Sequence, residues 1–220
     1  MNGVIISRGL TRATTDLVGS TLSLLDWKRT IAGLYADMRA ASDKHAAWRQ
    51  WRDTRERMLR EHPESPVPAS DRTGYSGPHL YDYDPTWRLL GSVEPVEPRR
   101  FELTTSTQTT MAFSRFGMAR FAHGGDELGL ELYWLEGYGG GLFVPFADST
   151  SGSETYGAGR YLLDTVKGAD LGTEDGRLVM DFNFAYQPSC AYDPSWTCPL
   201  APPANRLKVP VRAGERVAPA

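Results

Sequence analysis

Leu128-Gly129-Leu130-Glu131-Leu132-Tyr133-Trp134-Leu135 decides the fold. Leu128, Leu130, Leu132 and Trp134 fall on one face of an extended chain, and Glu131 and Tyr133 fall on the other. Period two is the signature of a β-strand with one face on a core. Upstream, Met118 to Ala122 leads to Gly124-Gly125, a turn pair that predicts a hairpin. Further back, Trp87 to Leu90, Arg99 to Thr105 and Thr109 to Phe116 read as strands. Downstream of the glycine run Gly137 to Gly141, the expected strands are Leu142 to Phe146, Arg160 to Thr165, Arg177 to Tyr186 and Leu207 to Val211. Strands at this spacing, with no helical pattern after residue 62, predict a mainly β (α+β) fold: an antiparallel sandwich or partly closed barrel.

An N-terminal helical pair precedes the strands. Trp27, Ile31, Leu34, Tyr35 and Met38 share one helical face, with Asp26 as the expected N-cap. After Ser42-Asp43 a second helix starts near Lys44, with a stripe of Trp48, Trp51, Met58 and Leu59 and Arg55 filling the turn between. Its other face is basic, through Arg49, Arg52, Arg57 and Arg60. Interleaved charges opposite an aromatic stripe predict a helix docked on the body rather than an RNA- or lipid-binding one. The segment His62 to Pro68, with three prolines, ends the helix as a stiff connector. The expected organisation is therefore a tail over residues 1–25, a docked helical pair over 26–62 and a β-rich domain over 63–220.

The chain has 220 residues, 40% of them hydrophobic, with 22 Gly and 15 Pro. That composition supports a sizeable core and disfavours an all-helical bundle. A net charge of −3 argues against a general nucleic-acid partner. No stretch is long and apolar enough to span a bilayer, and the first 25 residues have no secretory hydrophobic region. A cytoplasmic location is expected, with no membrane partner; the oligomeric state is left open.

Charge is uneven along the chain. Between Phe121 and Gly176 there are ten acidic residues, against Arg160 and Lys167 as the only Lys or Arg. Arg160 follows Gly157-Ala158-Gly159 and offers a planar fork of donors. It either grips an anionic ligand or pairs internally with Asp148, Glu154, Asp164 or Asp181. The glycine runs lack the P-loop and dinucleotide spacings. In the expected strand ending at Tyr186, Leu178, Met180, Phe182 and Phe184 share one face; Val179, Asp181, Asn183 and Ala185 share the other. If that polar face lines a cavity, Asp181 becomes a base or ligand hook; if it faces solvent, the strand is ordinary. No Gly-x-Ser-x-Gly elbow is present.

Cys190 and Cys198, with seven residues between them, lie in a proline- and aromatic-rich segment from Tyr186 to Arg206. No histidine spacing completes a zinc site. Buried thiols or a local disulfide, both structural, are expected, and no metal.

Leu142 to Asp148, Thr155 to Leu162, Asp181 to Tyr192 and Cys198 to Leu207 resemble the bacterial and archaeal family called domain of unknown function 1684. Trp48 to Arg60 with His62 to Pro66, and Tyr83 to Arg88, carry the same resemblance, which spans residues 27–217. Two departures are Ala158, where the pattern has glycine, and Ala204, where it has glutamate. The resemblance implies no activity. It implies where a site would be sought: Asp181 and Tyr186 as catalytic candidates; Arg160, Tyr156, Tyr161, Asn183, Asp148 and Asn205 as ligand-binding candidates.

Three functional readings follow. The first is a small-molecule-binding domain, with metal-independent acid/base chemistry on an anionic substrate. The second is a non-enzymatic structural or protein-interaction domain. The third is a flavin-binding small barrel with Arg160 on the phosphate; otherwise no cofactor is expected.

Overall fold

The structure, a computed structural model, describes residues 17–218. Two helices lead, α1 (Leu17–Ala40) and α2 (Lys44–Glu61). Nine strands follow: β1 (His79–Leu80), β2 (Arg88–Thr104), β3 (Thr110–His123), β4 (Asp126–Leu135), β5 (Leu142–Phe146), β6 (Arg160–Asp164), β7 (Thr173–Glu174), β8 (Arg177–Asp181) and β9 (Glu215–Arg216).

α1 begins earlier than expected. Asp26 is an interior residue whose carboxylate lies 3.3 Å from His62 Nε2, and not an N-cap. The leucine-rich stretch before it continues the helix back to Leu17. Of the expected tail, residues 1–16 lie outside the described residues. Asp43 caps α2 by accepting from the Ala46 N–H at 2.9 Å. The apolar stripes face the core: Ile31, Leu34, Tyr35 and Met38 on α1 and Trp48, Trp51, Met58 and Leu59 on α2 are buried, while Trp27, also expected in the α1 stripe, is half-buried against it. Arg55 is buried with them.

The large sheet is antiparallel in the order β6-β5-β4-β3-β2-β8-β7. Its outer strands do not meet, so no barrel closes. β1 and β9 form a separate two-stranded ladder. The expected short strands around residues 87–122 merge into two long ones, because the ladder resumes beyond the irregularities at Pro95/Arg99 and Arg115/Gly117. Both faces of the middle of β4 are covered. Leu130 and Leu132 join the main core under the helices, and Tyr133 joins a second cluster with Phe113, Phe143 and Tyr161. Trp134, expected on the leucine face, is 47% exposed.

Two expected strands are corrected. β8 stops at Asp181, whose side chain accepts from the Asn183 N–H at 3.1 Å and turns Phe182–Phe184 into a 3₁₀ helix. A side chain that bonds its neighbouring backbone competes with the ladder. Residues 207–211 form no strand. Leu207 N–H donates to Ala147 O and Ser149 N–H to Val209 O, but Pro210 has no N–H to extend the pairing. Among the described residues no helix is long and apolar enough to cross a membrane.

Candidate functional site

The sequence candidates separate into distinct environments. Arg160, 1% exposed at the start of β6, spends both terminal nitrogens inside the protein. Nη2 donates to Asp148 Oδ2 and Val211 O, each at 2.8 Å; Nη1 donates to Ala213 O at 2.5 Å and Glu215 O at 3.0 Å. Asp148 Oδ1 accepts from the Thr150 N–H at 2.7 Å and its hydroxyl at 2.6 Å. Of the four acidic partners considered, Asp148 is the one Arg160 pairs with. The pair staples the segment from Val211 to Glu215 onto the sheet. Gly214 makes that approach possible: its φ is +77°, and a Cβ there would lie 2.5 Å from Ala185 O. The phosphate that the flavin reading placed on Arg160 would compete with these protein oxygens.

Asn205 and Asn183 act as backbone brackets. Asn205 Nδ2 donates to Glu131 O at 3.0 Å and Pro145 O at 2.8 Å, while its Oδ1 accepts from the Glu131 N–H at 2.8 Å. Asn183 Nδ2 donates to Asp84 O at 2.8 Å and to Asp181 Oδ1 at 2.9 Å, and its Oδ1 accepts from the Asp84 N–H at 2.9 Å. Tyr161 OH donates to Pro199 O at 2.6 Å. Each satisfies backbone groups of a segment distant in sequence. Ala204, where the resemblance has glutamate, is exposed.

Tyr186 belongs to a network that sequence reasoning missed. The Arg55 guanidinium, 4.8 Å above the Tyr186 ring, pairs with the fully buried Glu215. Glu215 Oε2 also accepts from the Gln187 N–H at 2.6 Å and Tyr192 OH at 3.1 Å. Burial pushes the Tyr186 hydroxyl well above its ordinary value. The adjoining cavity, about 60 Å³, holds no more than a few waters. The only signal in sequence was a lone arginine in an apolar helical stripe.

Asp181 has a different setting. Its Oδ1 accepts from Asn183, while Oδ2 has a single distant partner, Arg88 Nε at 4.0 Å. The carboxylate is 2% exposed and lines a polar cavity of about 280 Å³. Arg39, Lys44 and Arg88 stand around the cavity with Glu174 and Phe184. Arg88 Nη2 is 2.5 Å from Glu174 Oε2; Lys44 Nζ donates to Ala41 O at 2.6 Å, closing the end of α1. Burial pushes the Asp181 carboxyl up to about 6, against the lowering effects of Asn183, Arg88 and Lys44. Asp181 and Tyr186, the two catalytic candidates, line different cavities. A third cavity, apolar and about 170 Å³, lies beside Leu24, Phe113 and Phe143 and involves none of the sequence candidates.

Tyr156, Cys190 and Cys198 form the last group. Both thiols are free and buried. Tyr156 OH lies 3.4 Å from Cys190 O and 3.7 Å from its Sγ. Among the described residues no three His, Cys, Asp or Glu side chains gather in a metal-binding arrangement.

The model of the family described as "Protein of unknown function (DUF1684)" matches residues 73–216. The chain belongs to the DUF1684 family. Its sheet, the Arg160 staple and the strand walls of the Asp181 cavity lie within the DUF1684 match, and both helices precede it. A solved structure is similar: the solution NMR structure of an uncharacterized protein from gene locus rrnAC0354 of Haloarcula marismortui. It is 33% identical, with a TM-score of 0.59, and the match covers 82% of this chain and 97% of that one. No curated protein matches the chain.

Proposed function

We propose that this DUF1684 chain binds a small anionic molecule in the Asp181 cavity and that Asp181 exchanges a proton with it. One observation carries the reading: a buried carboxylate with an under-used oxygen lines a polar cavity walled by Arg39, Lys44 and Arg88, whose positive charges outnumber the negative ones of Glu174 beside Arg88 and Asp170 beside Arg39. A carboxylate or phosphate ester fits that charge, with Arg88 as the bidentate-capable contact. A carboxyl raised to about 6 is mostly ionised at neutral pH yet titrates far closer to it than an ordinary carboxyl, which suits a proton acceptor. The anion grip that was one of the two sequence readings of Arg160 passes to Arg88, Lys44 and Arg39. Two free cysteines agree with a reducing compartment such as the cytoplasm.

A second reading is favoured by Asp181 Oδ1, which caps the Phe182–Phe184 turn and would be needed in a purely structural domain. Titration of the full chain with a panel of small carboxylates and phosphate monoesters, followed by backbone NMR, separates the two. Saturable shifts at Asp181, Arg88 and Lys44, weakened at least tenfold by Arg88→Gln, are expected. No saturable member of the panel, or shifts centred elsewhere, would leave Asp181 as a cap.

A further inference from the structure

The proline-rich segment between Tyr186 and Arg206 brings two thiols together that nothing in the Asp181 cavity uses. Cys190 sits in the 3₁₀ turn Ser189–Ala191, and its own N–H donates to Cys198 Sγ at 3.3 Å. That contact brings the Cys198 sulfur against the Cys190 backbone. Cys198 is held in place by its backbone: its N–H donates to Ser106 Oγ at 3.1 Å, and its carbonyl accepts from the Ser106 N–H at 2.9 Å. Tyr156 OH reaches Cys190 Sγ at 3.7 Å from the other side. Cys190 is 5% exposed and Cys198 is buried more deeply.

This arrangement makes the two sulfurs unequal. A negative charge on Cys190 would receive the Tyr156 O–H. Cys198 receives the Cys190 backbone N–H, and its deeper burial favours the protonated form there. Hydrogen bonding to the Cys190 sulfur lowers its thiol below the usual range, against the opposing effect of burial. Cys198 moves the other way, well above the usual thiol range. A thiolate next to a protonated thiol is the pairing that lets one sulfur attack and the other resolve.

We propose that Cys190 and Cys198 are a redox-active dithiol, Cys190 attacking and Cys198 resolving, that closes to a disulfide on oxidation by a hydroperoxide. In the first step the Cys190 thiolate attacks one oxygen of the O–O bond. That bond breaks, a sulfenic acid forms on Cys190, and the departing oxygen leaves as water or alcohol after taking a proton from solvent. In the second step Cys198 loses its proton and attacks the Cys190 sulfur. The S–S bond forms, the S–O bond breaks, and the hydroxide released takes up a proton as water. One hydroperoxide is reduced by two electrons, and two thiols supply them. A small dithiol returns the pair to its starting state by exchange. The site is independent of the Asp181 reading, since no residue is shared.

Hydrogen peroxide added to the reduced full-length chain at pH 7 tests this, with thiol counting, intact mass and peptide mapping. One equivalent is expected to remove both thiols, lower the mass by about 2 Da and give a Cys190–Cys198 cross-linked peptide. Cys198→Ser is expected to stop at the sulfenic acid, trapped by dimedone on the Cys190 peptide. Cys190→Ser is expected to consume peroxide at least tenfold more slowly than the unaltered chain, and Tyr156→Phe to shift the pH midpoint of oxidation upward. Peptide mapping of the unaltered chain needs no variant to fold. Both thiols surviving a tenfold excess of peroxide in the folded chain would overturn the proposal, as would a Cys190→Ser chain oxidised as fast as the original.

Discussion

Asp181→Asn is expected to make the protein more stable above pH 6 and to leave it nearly unchanged near pH 4. In the folded chain burial raises the Asp181 carboxyl from its ordinary 3.8 to about 6. The folded state therefore binds the proton more tightly than the unfolded state does. Between those two values the unfolded carboxyl has ionised and the folded one resists, so stability falls as pH rises through that window. The rise to about 6 corresponds to about 3 kcal/mol of preference for the neutral form. Asparagine is neutral at every pH and keeps the oxygen that accepts from Asn183. The stability difference between the variant and the unaltered chain should thus grow by about 2–3 kcal/mol from pH 4 to pH 8. For a chain of this size that is about 5–10 °C in melting temperature. Urea unfolding of both chains at the two pH values measures it directly. A difference that does not change with pH would refute the reasoning, because it would show that Asp181 is ionised at no cost in the folded protein. A residue that makes the fold less stable at neutral pH is also what a proton-transfer site predicts and a structural cap does not.

Arg160→Ala should destabilise by about 3–5 kcal/mol, since it leaves Asp148 charged and buried. Arg160→Lys should also destabilise, because an ammonium cannot reach Asp148 and three carbonyls at once; a lysine variant with an unchanged urea midpoint would contradict this. Trp51→Ala removes a fully buried ring packed edge-on against Phe184, at 5.4 Å between centroids, and should cost about 3–5 kcal/mol in the same assay. Loss below about 1 kcal/mol would mean that α2 is not part of the cooperative core.

Residue spacing alone determined the elements whose cause is local. The stripe Trp48, Trp51, Met58 and Leu59 has one possible buried face, and the helix docks on it. The alternation from Leu128 to Leu135, with Gly124-Gly125 before it, leads to an antiparallel hairpin wherever the strands later pack. An arginine in an acidic stretch called for an anionic partner, either a ligand or one of four carboxylates, and Arg160 pairs with Asp148. The tertiary structure decided everything that depends on which distant segments meet. Period two did not reveal that β4 carries core on both faces, because alternation marks two sides without saying what covers each. The end of β8 at Asp181 turned on a side-chain hydrogen bond that competes locally with the ladder. Arg55 and Glu215 are 160 positions apart, and their pairing exists only once α2 lies against the chain's last strand. The Asp181 cavity gathers Arg39 and Lys44 from the helices, Arg88 from β2 and Glu174 from β7. None of those charges is distinctive in sequence. Their proximity is set by helix-on-sheet packing, which is non-directional and specifies contact only through the whole shape of the core.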